Sequence, residues 1–209
     1  MGNKKDKGNV NWELACHFIE ERSYNLAINV LTKTIKIEPW DAHLYDLRGL
    51  AYGRNNEYEK AIADFDVAIE IDNQLACAYN NRAMSYFALD MIEKALRDIN
   101  KAGGLALDML ERAVDGPDDT VDFDPNIAVC FANRGLIQCA KGSFQEAVLD
   151  YSLAIILGAS EDVYKSRGEA YFEIGEYEKS LADFNQALAL NPNDITAFAN
   201  SALAVDRQR

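Results

Sequence analysis

"RGLAYGRNNEYEKAIADFDVAI" occupies residues 48–69, and "RGEAYFEIGEYEKSLADFNQAL" occupies residues 167–188, 119 positions further on. Around the first phrase, Tyr45, Gly49 and Tyr52 fall four and three residues apart, and Ala61, Phe65 and Ala68 repeat that rhythm. Such steps place side chains on one face of an α-helix. The polar break "GRNNEY" at residues 53–58 separates the two faces, so the phrase reads as helix, turn, helix.

Sliding the chain against itself extends the echo into an array with a period of 34 residues. The units are 8–41, 42–75, 76–109, 128–160 and 161–194, with a sixth start at 195. Residues 110–127 interrupt the series with 18 extra positions, and the fourth unit is one residue short. Places are counted from the first residue of each unit. The eighth place is small in all five (Ala15, Gly49, Ala83, Gly135, Gly168), as is the twentieth (Ala27, Ala61, Ala95, Ala147, Ser180). The twenty-fourth is large: Leu31, Phe65, Ile99, Tyr151, Phe184. Small residues let two helices approach closely while large ones fill the groove beside them. Four units also carry Arg at place seven (Arg48, Arg82, Arg134, Arg167) and Asp at place twenty-three (Asp64, Asp98, Asp150, Asp183). A charge withdrawn from water needs a partner, so these eight residues are expected to pair between packed helices, within a unit or between neighbours.

A 34-residue helix–turn–helix with these small and large places resembles the tetratricopeptide repeat, and the resemblance runs from residue 8 to about 207. The fifth unit carries it best, through Tyr164, Gly168, Tyr171, Gly175, Tyr177, Phe184, Ala187 and Pro192. Departures are local: Asn11 stands at a large place, and Asn73, Leu107 and Ala159 replace the closing proline, which leaves helix ends open. The resemblance implies an all-α, right-handed α-solenoid of about five repeats plus a capping helix at 195–207, forming one array over 8–207 after a disordered tail at 1–7. It further implies that the first helices line a concave groove that binds a peptide or helical segment of another protein.

Places 2, 5, 6, 9, 12 and 13 of the first helices then supply the groove. Its candidate partner-binding residues are Asp46, Leu50, Asn80, Asn81, Met84, Phe87, Asn133, Leu136, Lys165, Glu169 and Phe172. Asn side chains can bond an extended backbone through both N–H and C=O, and Met and Phe give adaptable apolar contact. Leu50, Leu136 and Cys139 could equally pack between units. A subset of the family grips acidic C-termini with a carboxylate clamp of Lys, Arg and Asn. Here the corresponding places hold Trp12, Cys16, Leu47, Cys77 and Asn81, or Asp46, Leu50, Asn81, Val129 and Asn133, so the cations are missing. The expected function is a protein–protein interaction scaffold that is not a carboxylate-clamp chaperone binder. The expected partner is a protein segment, basic with apolar anchors.

Composition agrees with that reading. The net charge of −13 disfavours phosphate backbones, so no nucleic-acid partner is expected. No apolar run is long enough to span a membrane. The start "MGNKKDKGNV" feeds no apolar segment of a secretory signal, and Asp6 stands where a myristoylation site prefers Ser or Thr. Cys16, Cys77, Cys130 and Cys139 lie in apolar helical patterns, and the protein is expected to be cytoplasmic with these thiols reduced. His17 and His43 form no ligand pair, so no metal or other cofactor is expected, and no catalytic grouping is present, which argues against an enzyme. In the insertion, Ala106, Met109, Leu110 and Ala113 predict a lengthened or restarted helix ending near Gly116-Pro117, before an acidic run of Asp118, Asp119, Asp122 and Asp124. That run does not match an EF-hand loop. The last helix presents Phe198, Ala202 and Val205 on its normally buried face. The alternative function is therefore a self-associating scaffold, such as a homodimer, or a fragment of a larger protein.

Overall fold

The computed structural model describes residues 4–114 and 125–207. Among these residues there are eleven helices and no strand: α1 (Lys4–Glu20), α2 (Tyr24–Ile35), α3 (Ala42–Arg54), α4 (Tyr58–Ile71), α5 (Ala76–Ala88), α6 (Ile92–Val114), α7 (Pro125–Lys141), α8 (Phe144–Ile156), α9 (Glu161–Glu173), α10 (Tyr177–Leu190) and α11 (Ile195–Arg207). They group into two compact units, residues 1–105 and 106–209. The acidic run at 118–124 lies outside the described residues. Of the expected tail at 1–7, residues 4–7 form the first turn of α1, where no proline interrupts the helix.

The same turn joins the paired helices five times. The place-sixteen N–H donates back to the place-eleven carbonyl in Ser23–Phe18 (2.7 Å), Glu57–Tyr52, Met91–Tyr86, Ser143–Gln138 and Glu176–Tyr171 (2.9 Å each). This six-to-one bond requires a left-handed residue just before it. Place fifteen supplies it every time, with φ of 57° at Arg22, 61° at Asn56, 58° at Asp90, 84° at Gly142 and 82° at Gly175. A shared turn fixes the angle at which each second helix folds back on the first.

Behind the turn, places eight and twenty-four are matched in volume. Where place twenty-four is aromatic, place eight is glycine: a Cβ added at Gly49 would lie 2.6 Å from Phe65, at Gly135 2.8 Å from Tyr151, and at Gly168 2.9 Å from Phe184. Where it is aliphatic, as at Leu31 and Ile99, place eight is alanine, Ala15 and Ala83, and all four side chains are fully buried. The ring and the missing methyl group form one interlocked contact, which is how a dense core tolerates an aromatic there.

The four expected Arg–Asp pairs form within their own units. Arg48 donates Nε and Nη2 to the two oxygens of Asp64 at 2.7 Å each. Arg82 does the same to Asp98, Arg134 to Asp150 and Arg167 to Asp183. The aspartates are nearly closed off from water. A bidentate fork is the geometry that compensates such burial best. Arg48 Nη1 reaches back to Thr32 Oγ1 (3.1 Å), Arg82 Nη1 to Asp66 (2.6 Å) and Arg167 Nη1 to Ser152 Oγ (3.0 Å). Each of these acceptors is place twenty-five of the preceding repeat, so one guanidinium closes its own helix pair and also bonds the pair before it.

The interruption begins as continuous helix. α6 runs through Gly103 and Gly104 to Val114, so the helix is lengthened, and Leu107 lies inside it where a repeat would close. Gly103 is buried and Ala106 joins the core of the second unit, with Ile127, Phe131, Ala147 and Tyr151. At the other open ends, α4 stops at Ile71 ahead of Asn73, and α8 stops at Ile156 ahead of a left-handed Gly158.

Candidate functional site

In the first unit α1 touches α3 and α3 touches α5, whereas α2 and α4 do not meet. In the second, α7, α9 and α11 touch in turn, while α8 and α10 do not. Within each unit the first helices of the repeats thus converge and the second helices splay. The converging side is the inner face, and polar contacts run across it.

On the first unit's inner face, Asp46 on α3 accepts from Asn81 Nδ2 on α5 at 3.1 Å, and Asn80 Nδ2 donates to Asn81 Oδ1 at 3.2 Å. The Trp12 and His43 rings meet edge-on with centroids 6.3 Å apart. Burial holds the Asp46 carboxyl above the usual aspartate range, despite the hydrogen bonds from Asn81 and Cys77 and the nearby His43. Burial, then the Asp46 charge, pushes the Cys77 thiol up in turn. Met84 and Phe87 are partly exposed beside this cluster, and Leu50 packs against the core formed by Ala15, Leu31 and Leu47.

On the second unit's inner face, Leu136 is exposed, Asn133 is partly exposed, and Cys139 packs inward, accepting from Tyr151 Oη at 3.8 Å. Lys165 donates to Asp194 at 2.9 Å and to Asp162 at 3.4 Å. Those bonds, with Asp194 first, raise its pKa. Four residues further along α9, Glu169 accepts from Asn200 Nδ2 on α11 at 3.1 Å. Burial pushes the Glu169 carboxyl up, opposed by Lys165 and by the Asn200 bond. Glu169, Phe172, Glu173, Phe184, Asn200 and Leu203 line a half-open cavity of about 220 Å³. Glu173, Asn200 and Leu203 were not among the expected groove residues. Glu173 is place 13 of the fifth unit, already on the place list, while Asn200 and Leu203 are places 6 and 9 of the sixth start, where carrying the same list onward would have found them.

The opposite side of α11 carries Phe198, Ala202 and Val205, all exposed, with Phe198 67% exposed, while Ala197 and Ala204 are buried against the repeat before it. Trp40, 83% exposed in the connection from α2 to α3, rims an open cleft of about 530 Å³ with Ile37 and His43; no periodicity pointed to it. Among the described residues no group of three or more His, Cys, Asp or Glu is placed to hold a metal. No described helix is long and apolar enough to cross a membrane.

The family pattern named tetratricopeptide repeat matches residues 42–75 and 161–194, the second and fifth units. The chain is a tetratricopeptide repeat protein. It is similar to human tetratricopeptide repeat protein 13, 32% identical over 146 residues, covering 70% of this chain and 16% of that protein. It is also similar to human RNA polymerase II-associated protein 3, 24% identical over 210 residues, covering 95% of this chain and 28% of the relative. The chain therefore spans less than a third of either curated relative. Among solved structures, a chain of the APC/C hetero-tetramer Cut9–Hcn1 superposes with a TM-score of 0.76 at 16% identity, over 99% of this chain and 38% of that one. That likeness concerns the fold, an α-solenoid of helix–turn–helix repeats.

Proposed function

We propose that this protein is an interaction module that seats an extended or helical segment of another protein against the first helices of its repeats, and that it carries out no reaction itself. The carrying observation is the inner face of the first unit, where partly exposed Met84 and Phe87 flank the fixed Asp46–Asn81–Asn80 array. Each atom of the Asn81 amide can make a second bond, one donating and one accepting, so a passing backbone can join the array. On the second unit Asn133, Leu136, Lys165, Glu169 and Phe172 repeat that mix of apolar and polar character. Apolar anchors beside a few placed polar groups suit peptide recognition better than catalysis, which needs a closed, water-poor site.

The preferred segment is basic. Lys165 is the one cation among these groove residues and is already paired with two aspartates, so an acidic C-terminus of the kind a carboxylate clamp holds finds no unengaged partner there. The described cysteines are free thiols, which fits a reducing cytoplasm. A pull-down with wild-type protein and with Asn81→Ala/Met84→Ala/Phe87→Ala, identified by mass spectrometry, tests the reading. A partner held by wild type and lost by the triple variant is expected, and one retained equally by both contradicts it.

A second reading rests on α11, whose Phe198, Ala202 and Val205 face outward. A second copy covering them would make the protein a self-associating scaffold. Light scattering over a concentration series decides this: mass rising toward a dimer, and a monomer restored by Phe198→Asp, is the expected pattern. A constant monomer mass removes the reading.

A further inference from the structure

We infer that the cavity between α9 and α11 is a receptor for one long basic side chain of the bound segment. This rests on the interaction-module reading and adds to it the chemistry of one anchor. At 220 Å³ the cavity is smaller than the roughly 300–1,000 Å³ of small-molecule sites, so it takes a single side chain and not a whole ligand.

Its walls divide by chemistry. Phe172, Phe184 and Leu203 form the apolar part, suited to the methylene stem of an arginine or lysine. Phe172 packs against Tyr177 with ring centroids 5.2 Å apart and planes at 65°, a contact that limits the orientations its ring can offer a cation. Glu169 and Glu173, one helical turn apart, form the charged part. Asn200 holds Oε1 of Glu169 from across the cavity, which fixes the carboxylate before anything enters.

Charge complementarity selects the occupant. Lys165, the cation one turn before Glu169, is drawn toward Asp194 and Asp162. The Glu169 and Glu173 charges also reach across to α7, where both push the Cys139 thiol upward after burial has done so. The cavity lining holds two carboxylates and no cation, and an apolar side chain alone would leave them only the charge of Lys165, which is shared with Asp194 and Asp162. An arginine supplies that charge together with several N–H donors that can reach both carboxylates.

The probe is a pair of peptides, acetyl-Leu-Arg-Leu-amide and the same peptide with citrulline in place of arginine, which keeps shape and removes charge. Each is titrated into the full ¹⁵N-labelled chain and followed by amide chemical shifts. Saturable shifts at Glu169, Phe172, Glu173, Asn200 and Leu203 with the arginine peptide are expected, at least about tenfold weaker with citrulline and in Glu169→Gln, as for loss of a charged hydrogen bond. Glu173→Gln, at the other carboxylate of the lining, serves as a second variant with a loss in the same direction. Equal shifts with citrulline, or binding unchanged in both variants, overturns the assignment. Shifts confined to Asn80, Asn81 and Met84 overturn it while leaving the interaction-module reading standing, so the two failures are distinct.

Discussion

The ring of Phe65 lies directly over Gly49, so near that a methyl group on Gly49 would approach its Cε1 to 2.6 Å. Gly49→Ala should therefore destabilise the protein by about 1–3 kcal/mol through overpacking. Phe65→Leu in the same chain should recover much of that loss, because Ala with Leu or Ile is the arrangement the first and third repeats already use. A double-mutant cycle in urea checks this. A coupling energy near zero would mean that the two places are independent.

Arg82 bonds two aspartates of unlike exposure: Asp98, whose side chain is 9% exposed, and Asp66, at 48%. Asp98→Asn should cost about 3 kcal/mol by leaving half of a buried fork without its charge. Asp66→Asn should cost less than about 1 kcal/mol. Equal costs in urea unfolding would show that burial does not govern these pairs.

The Asp46 carboxyl is held above its usual range by burial, so the folded state binds its proton more tightly than the unfolded chain. The sign follows: stability is greatest below the ordinary aspartate value and falls as pH rises through the raised one. Asp46→Asn, which keeps an acceptor for Asn81, should accordingly be more stable than wild type at pH 7. The gain should shrink as pH is lowered toward the ordinary aspartate value. Melting temperatures of both proteins across pH 4–7 test it, and a gain that grows on acidification would be the wrong sign.

Two places carry residues that the other repeats improve upon. Ser180 stands where four repeats have alanine, and its buried Oγ has no hydrogen-bond partner among the described residues. Ser180→Ala should stabilise by about 1 kcal/mol. Arg22 holds the left-handed turn conformation that glycine takes in the fourth and fifth repeats. Arg22→Gly should add about 0.5–1 kcal/mol, the relief of strain less the freedom gained by the unfolded chain. Loss of stability in either variant would contradict the repeat-by-repeat comparison.

Helix pairing was legible because it depends on residue type at a fixed period, as at Gly49 with Phe65 or Arg48 with Asp64. The third contact of Arg48, Arg82 and Arg167 was hidden, because Thr32, Asp66 and Ser152 share an acceptor oxygen but no residue identity. The place of Asn81 on the first-helix face was legible, yet its bond to Asp46 was not, because it joins two repeats and depends on how closely α3 and α5 approach. The cavity beside Glu169 needed Asn200 and Leu203 from α11, beyond the five helix pairs on which the pattern was counted. Trp40 lies in a connection, where periodicity carries no information.

A partner seated on the inner, first-helix faces would shield their backbone amides from solvent. Hydrogen–deuterium exchange of the protein with and without a captured partner tests it most directly. Slowed exchange is expected in α3, α5 and α9, with α4, α8 and α10 unchanged. Protection confined to α4, α8 and α10, with the first helices exchanging as before, would contradict it.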